Sequence, residues 1–408
     1  MLKKLFSKFT RRKSKVYAEP NLMNAYARLP VSFVRGESAN LWDAEGNHYI
    51  DALGGIAVTF LGHCHPTISQ TISLQANTLI HTSNLFHIST QAKLSEKLCK
   101  VSGMDKVFFS NSGAEANEAA IKISRLYARE KNISNPVIVC MKRSFHGRTM
   151  ATLSASGNDY IQKGFEPLVS DFIHIDYNKI ESLEELTDNK NIVAVMLEPI
   201  QGEGGIIVPE KGYLKQVRQI CDKNGWLMIA DEIQTGVGRT GYWYAYQAEQ
   251  ILPDIVTSAK ALGNGIPIGA CLAQGKAAEL ITPGAHGTTY GGNPFACQVA
   301  LSVLDIIEQE NYLERAQELG TLLKKQLQQR IGTTGKVIDI RGRGLMLGIE
   351  LDQVYSDLAQ HFLDSGLVLN ITGGGRVIRL LPAVVTTEKQ INQIVDTIGA
   401  VIDSLPSN

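Results

Sequence analysis

The 408 residues, 44% hydrophobic and 20% charged, have the profile of a soluble globular protein with a substantial core, and the length predicts two or three domains. Forty Lys and Arg balance forty Asp and Glu, so no global field draws the chain to nucleic acid or to an anionic membrane. Six scattered cysteines with no C-x-x-C pair and no secretory pattern ahead of them predict a reducing, cytoplasmic setting.

Residues 1–22 form a basic N-terminal extension, and within residues 2–16 Lys3, Lys4, Lys8, Arg11, Arg12, Lys13 and Lys15 occur without an acid. Leu2, Leu5, Phe6 and Phe9 fall at helical spacing there, but the segment is too short and too charged to span a bilayer, and a frayed tail is expected. Residues 23–75 contain a hairpin-like turn at 41–47 and are expected to pack with the C-terminal part of the chain. His63-Cys64-His65 is read as a turn before Pro66, because no second ligand pair follows it, and no metal is expected.

From residue 76 to 300 the rhythm is strand, loop, helix. Apolar runs of strand length occur at 106–109, 137–141, 192–197, 226–230 and 255–257, with helical patterns at 115–131 and 212–224. Buried, mostly parallel strands covered by helices on both faces fit this pattern best, an α/β fold. Residues 301–408 read as a smaller α+β domain. Amphipathic helices are predicted at 294–309 and 312–330, short strands at 337–341, 344–351 and 377–381, and a last helix from Glu388.

In open α/β sheets ligands collect at the carboxyl ends of the strands, so the residues after each apolar run carry the chemistry. After Phe109 comes the polar turn Ser110-Asn111-Ser112-Gly113-Ala114-Glu115-Ala116-Asn117, which opens a helix. It suits a phosphate cradle, and simple capping would explain its Ser and Asn equally well. After Met141 the chain gives Phe145-His146-Gly147-Arg148, where a flat ring can stack on Phe145 and Arg148 can grip a carboxylate; a core Phe beside a surface Arg is the plainer alternative. The run 192–197 leads into Glu198-Pro199-Ile200-Gln201-Gly202-Glu203, and 226–230 leads into Asp231-Glu232-Ile233-Gln234. Carboxylates emerging from apolar strands are costly without a partner, and Asp231 is placed to keep a pyridine nitrogen protonated. The run 255–257 ends shortly before Lys260, a nucleophile once desolvated. Gly236-Val237-Gly238-Arg239-Thr240-Gly241 matches the dinucleotide fingerprint in letters only, since aromatic residues stand where its helix should begin.

Together these segments, with His286-Gly287-Thr288-Thr289-Tyr290-Gly291-Gly292-Asn293-Pro294, resemble the class III aminotransferases of fold type I from about Tyr26 to the C-terminal helix. The resemblance implies a pyridoxal 5'-phosphate (PLP) enzyme, with a mostly parallel sheet in a large domain and a smaller α+β domain. It implies that Ser112, Gly113 and Ala114 cradle the cofactor phosphate, Phe145 stacks on the ring, Asp231 pairs with the ring nitrogen, Gln234 meets the ring hydroxyl and Lys260 holds the cofactor as a Schiff base. It further implies a homodimer with shared active sites, in which Thr289 crosses to the other subunit's phosphate and Thr288 lies near substrate. Arg148 would bind a substrate carboxylate, and Glu203 would switch between covering Arg379 and releasing it for glutamate. The implied reaction moves the δ-amino group of N-acetyl-L-ornithine to 2-oxoglutarate. N-succinyl-diaminopimelate, ornithine, succinylornithine and 4-aminobutyrate remain open as donors. Two positions depart from the family pattern: Asn264 where glycine is usual, and Ala383 where a second proline often follows Pro382.

Overall fold

The computed structural model describes residues 21–406, so the basic extension expected at 1–22 lies almost wholly outside the described residues. The chain begins with an antiparallel ribbon of β1 (Phe33–Glu37), β2 (Asn40–Asp43) and β3 (His48–Asp51). Its β2–β3 turn is closed by Asp43, whose Oδ1 accepts the N–H groups of Glu45 at 3.1 Å and Asn47 at 2.7 Å. An aspartate that binds backbone two residues on is the usual reason such a turn forms.

The central sheet contains β4 (Lys106–Ser110), β5 (Val137–Met141), β6 (Phe172–Ile175), β7 (Ile192–Leu197), β8 (Leu227–Asp231), β9 (Ile255–Ser258) and β10 (Gly269–Ala273). They lie in the order β4-β10-β9-β8-β7-β5-β6, and the pairings are parallel except that β10 runs antiparallel to both neighbours. Every residue of β7 through β10 is buried. Strands become continuously apolar when helices cover both faces, and the side chains here divide accordingly. Ala194, Met196, Leu227 and Ile229 pack in one cluster with the helix Gly113–Glu130, whereas Val195, Leu197 and Met228 join the helix Tyr213–Asn224 on the other face. Buried Ala116, Ala119 and Ala120 give the first of these helices a thin inner face.

C-terminally, β11 (Val337–Arg343), β12 (Met346–Leu351), β13 (Leu367–Val368), β14 (Asn370–Thr372) and β15 (Val377–Leu380) follow. An antiparallel sheet β11-β12-β15-β14 is covered by the helices Tyr312–Ile331 and Glu388–Ser404. The helix Tyr312–Ile331 crosses the β11–β12 turn so closely that a Cβ at Gly320 would lie 2.0 Å from the Gly344 carbonyl oxygen. β13 pairs in parallel with β3, which ties the N-terminal ribbon to this region. The boundary expected between residues 300 and 301 falls inside the helix Pro294–Gln309. No described helix is long and apolar enough to cross a membrane.

Candidate active site

A cavity of about 400 Å³ opens at the carboxyl ends of the central strands. Its lining includes Ser112, Gly113, Ala114, Phe145, Arg148, Glu198, Asp231, Gln234 and Lys260, so five separate strand ends, those of β4, β5, β7, β8 and β9, converge on one space.

At the β4 end, Ser112 caps the helix Gly113–Glu130 by accepting the Glu115 N–H on Oγ at 3.2 Å. The N–H groups of Gly113 and Ala114 have no partner among the described residues and border the cavity. A Cβ at Gly113 would sit 2.7 Å from Ile233 Cδ1, so glycine is what keeps the turn against β8. Free amides at the positive end of an 18-residue helix fit a phosphate.

Asp231, at the end of β8, is 3% exposed yet well supplied with donors. Its Oδ2 accepts from Asn117 Nδ2 at 2.8 Å and lies 2.7 Å from His146 Nδ1, while Oδ1 accepts the Ile233 N–H at 3.1 Å. These contacts fix the orientation of the carboxylate, leaving it placed to meet a protonated ring nitrogen. Asn117 also donates to the His146 carbonyl at 2.7 Å, locking the two supports together. Phe145 is half-buried beside them, its own N–H bonded to Glu198 Oε1 at 3.0 Å.

Lys260 follows β9 in a left-handed conformation, φ 44°, a strained state for a residue with a side chain. Removal from water lowers its pKa from the ordinary lysine value, opposed by Glu203 and assisted by Arg379. Burial, opposed by His146 and assisted by Asp231, raises that of Glu198 to about 7. Lys260 is thus shifted toward the neutral amine, the nucleophilic form.

Arg379 on β15 is fully buried. Its Nη1 donates to Glu203 Oε1 at 2.5 Å and to Gln234 Oε1 at 3.3 Å, and its Nε to Asn370 Oδ1 at 3.0 Å; Nη2 has no partner. Gly202 permits this approach, because a Cβ there would sit 2.5 Å from the Gln234 amide. Arg148 is exposed at the mouth, its guanidinium 5.6 Å from the Phe145 ring centroid, and carries no ion pair among the described residues. The site therefore offers one open arginine and one covered arginine.

Thr288 is apart from the cavity wall; its Oγ1 accepts from Asn111 Nδ2 at 3.3 Å, and Thr289 is exposed. The departure at Asn264 has a structural use: it adopts φ 44°, accepts the Leu61 N–H at 2.9 Å and donates to the Gly62 carbonyl at 3.2 Å. His63 bonds Asp51 Oδ2 at 2.7 Å, while His65 stands at the N-cap of the helix Pro66–Thr78 without a side-chain capping bond, so the two imidazoles share no ligand. No described group of His, Cys, Asp and Glu is arranged to hold a metal. Sequence reasoning gave no role to Asn117, His146 or Asn370. Asn117 and His146 stood within motifs, where a buried polar residue one helical turn from a cradle was the available signal; Asn370 offered none.

A family profile described as Aminotransferase class-III matches residues 22–402. An acetylornithine aminotransferase of Nitrosomonas europaea is 50% identical over 383 residues, covering 94% of this chain and 97% of that protein. One from Methanothermobacter thermautotrophicus is 41% identical over 384 residues, covering 94% and 97%. Among solved structures, the ornithine aminotransferase of Toxoplasma gondii superposes with a TM-score of 0.91 at 34% identity, covering 94% of this chain and 93% of that one. The acetylornithine aminotransferase of Elizabethkingia anophelis gives 0.84 at 36%, covering 94% and 97%. With the profile spanning nearly all of the described chain and relatives at half identity over their whole length, this protein belongs to the class III aminotransferases.

Proposed function

We propose that the chain is a PLP-dependent aminotransferase that moves the δ-amino group of N-acetyl-L-ornithine to 2-oxoglutarate, giving N-acetyl-L-glutamate 5-semialdehyde and L-glutamate, a step of arginine biosynthesis. The observation that carries the reading is the pair of arginines: Arg148 open at the mouth, and Arg379 buried under the movable charge of Glu203. Such an arrangement takes one carboxylate in the first half-reaction and a second, differently placed carboxylate in the other. The acetylornithine aminotransferases at 41–50% identity support the choice of donor.

The residues fit the cofactor. Ser112 and the free amides of Gly113 and Ala114 would hold its phosphate, Phe145 would stack on the ring, Asp231 would take the ring nitrogen, and Gln234 would meet the ring hydroxyl. PLP supplies, when bound, an aldehyde that takes up the amino group and a ring that delocalises the electron pair left on the substrate carbon. Lys260 is the group that moves the proton, since a buried amine shifted toward neutrality can accept one from carbon and return it. Asp231, held in place by Asn117 and His146, would face the ring nitrogen. Arg148 orients the carboxylate of acetylornithine while Glu203 neutralises Arg379; rotation of Glu203 then exposes Arg379 to glutamate.

The reading includes a homodimer in which Thr289 of the partner subunit completes the phosphate site. It is supported by the exposed Leu79, Ile80, Leu85, Phe86 and Tyr290, a concentration of apolar surface beside the Thr288 loop. A cytoplasmic location fits six cysteines that are all unpaired. Single-turnover rates over a panel of donors test the assignment: acetylornithine should react fastest, and faster turnover of ornithine or 4-aminobutyrate would replace it.

A further inference from the structure

A cavity of about 950 Å³ lies apart from the one holding Lys260, and the two share no lining residue. It lies between the helix Tyr213–Asn224 and the helix Tyr312–Ile331, with the β11–β12 turn forming part of its wall. Lys211 and Lys215 stand on one side, Lys324 and Lys325 on the other, and Arg343 in the turn. Glu249 is the one carboxylate in the lining, and its Oε2 is engaged by the Gly212 N–H at 2.9 Å. None of the five cations has an ion pair or side-chain hydrogen bond among the described residues, whereas lysines elsewhere, such as Lys97, Lys106 and Lys142, do.

In a chain with equal numbers of acids and bases, five unpaired cations around one concavity are a local excess. Like charges gathered in a cleft repel one another unless an anion enters, and low-dielectric walls concentrate their field. The start of the helix Tyr213–Asn224 adds to that field: its N-cap is Gly212, which has no side chain, and the Leu214 and Lys215 N–H groups have no partner among the described residues. Four of the five cations are lysines, which act as point charges without the planar fork that selects carboxylates. The volume is that of a small-molecule site.

We propose that this cleft is a second ligand site, which takes a small molecule bearing two or more phosphate groups and bridges the two helices. The PLP-loaded protein, freed of excess cofactor and kept in phosphate-free buffer, is titrated with inorganic tripolyphosphate by calorimetry. Saturable binding is expected, weakened at least tenfold in Lys215→Glu/Lys324→Glu, with aminotransferase turnover in the absence of tripolyphosphate unchanged. The control Lys190→Glu/Lys389→Glu removes the same net charge elsewhere and should bind as the parent does. Absence of binding, equal binding by the cleft variant, or equal weakening in the control would overturn the proposal. Citrate binding as tightly as tripolyphosphate would overturn the preference for phosphate.

Discussion

Replacing Glu203 by Gln asks whether the covered arginine is a switch. Glu203 Oε1 lies 2.5 Å from Arg379 Nη1, and Arg379 has no exposed surface, so the substitution leaves a buried cation with only the neutral acceptors Asn370 and Gln234. Removing one partner of a buried hydrogen-bonded charge pair costs ~2–5 kcal/mol. About a third of the Glu203 side chain is exposed, at 32%, and solvent screens it, so the cost is discounted to roughly 1.5–3 kcal/mol. At about 1.4 kcal/mol per tenfold, acetylornithine should lose roughly 10- to 100-fold in kcat/KM. Glutamate needs Arg379 uncovered, so its KM should stay level or fall. Each half-reaction is followed by single-turnover change in cofactor absorbance with one substrate present. Equal losses in both half-reactions would refute the switch, as would an unaltered rate with acetylornithine.

Three further outcomes are expected. His146→Phe leaves Asp231 Oδ2 with Asn117 as its remaining side-chain donor, and loss of a charge-assisted hydrogen bond worth ~1.5–3 kcal/mol should lower kcat about tenfold or more and shift the cofactor absorbance, while His146→Gln should recover part of both. Arg148→Gln should raise KM for carboxylate substrates at least tenfold, with PLP content unchanged, as measured by steady-state kinetics and absorbance. Glu232→Gln concerns pH. Burial raises the Glu232 pKa to about 7 from an ordinary value of 4.5, so the folded protein binds a proton that the unfolded chain releases between those values. That stabilisation is complete below pH 4.5 and is lost as pH rises to about 7. Denaturant titrations should show a flatter decline over this window in the variant than in the parent; an identical slope would exclude Glu232 as its source.

The strands bearing the site were legible because each was a short, largely apolar run followed closely by polar residues. Structure places Asp231 and Lys260 within two residues of the ends of β8 and β9 as that pattern requires. β10 escaped notice since Gly269-Ala270-Cys271-Leu272-Ala273 contains no β-branched residue; its strand form comes from the flanking β4 and β9 edges. β6 is four residues long and takes His174 into its pattern, too little for periodicity to register. The helix expected from Glu115 begins at Gly113, where Ser112 caps it. Arg379 and Glu203 are 176 residues apart, and their pairing followed from family likeness rather than from any local pattern. Asn370 reaches Arg379 through the register of β14 on β15, information that exists only once the sheet has formed.

The role of Lys260 is tested most directly by borohydride reduction of the yellow, PLP-loaded protein followed by peptide mass analysis. A reduced cofactor adduct confined to Lys260 is the expected result, abolished in Lys260→Ala while that variant remains folded. An adduct on another lysine, or none after reconstitution with PLP, would contradict the account.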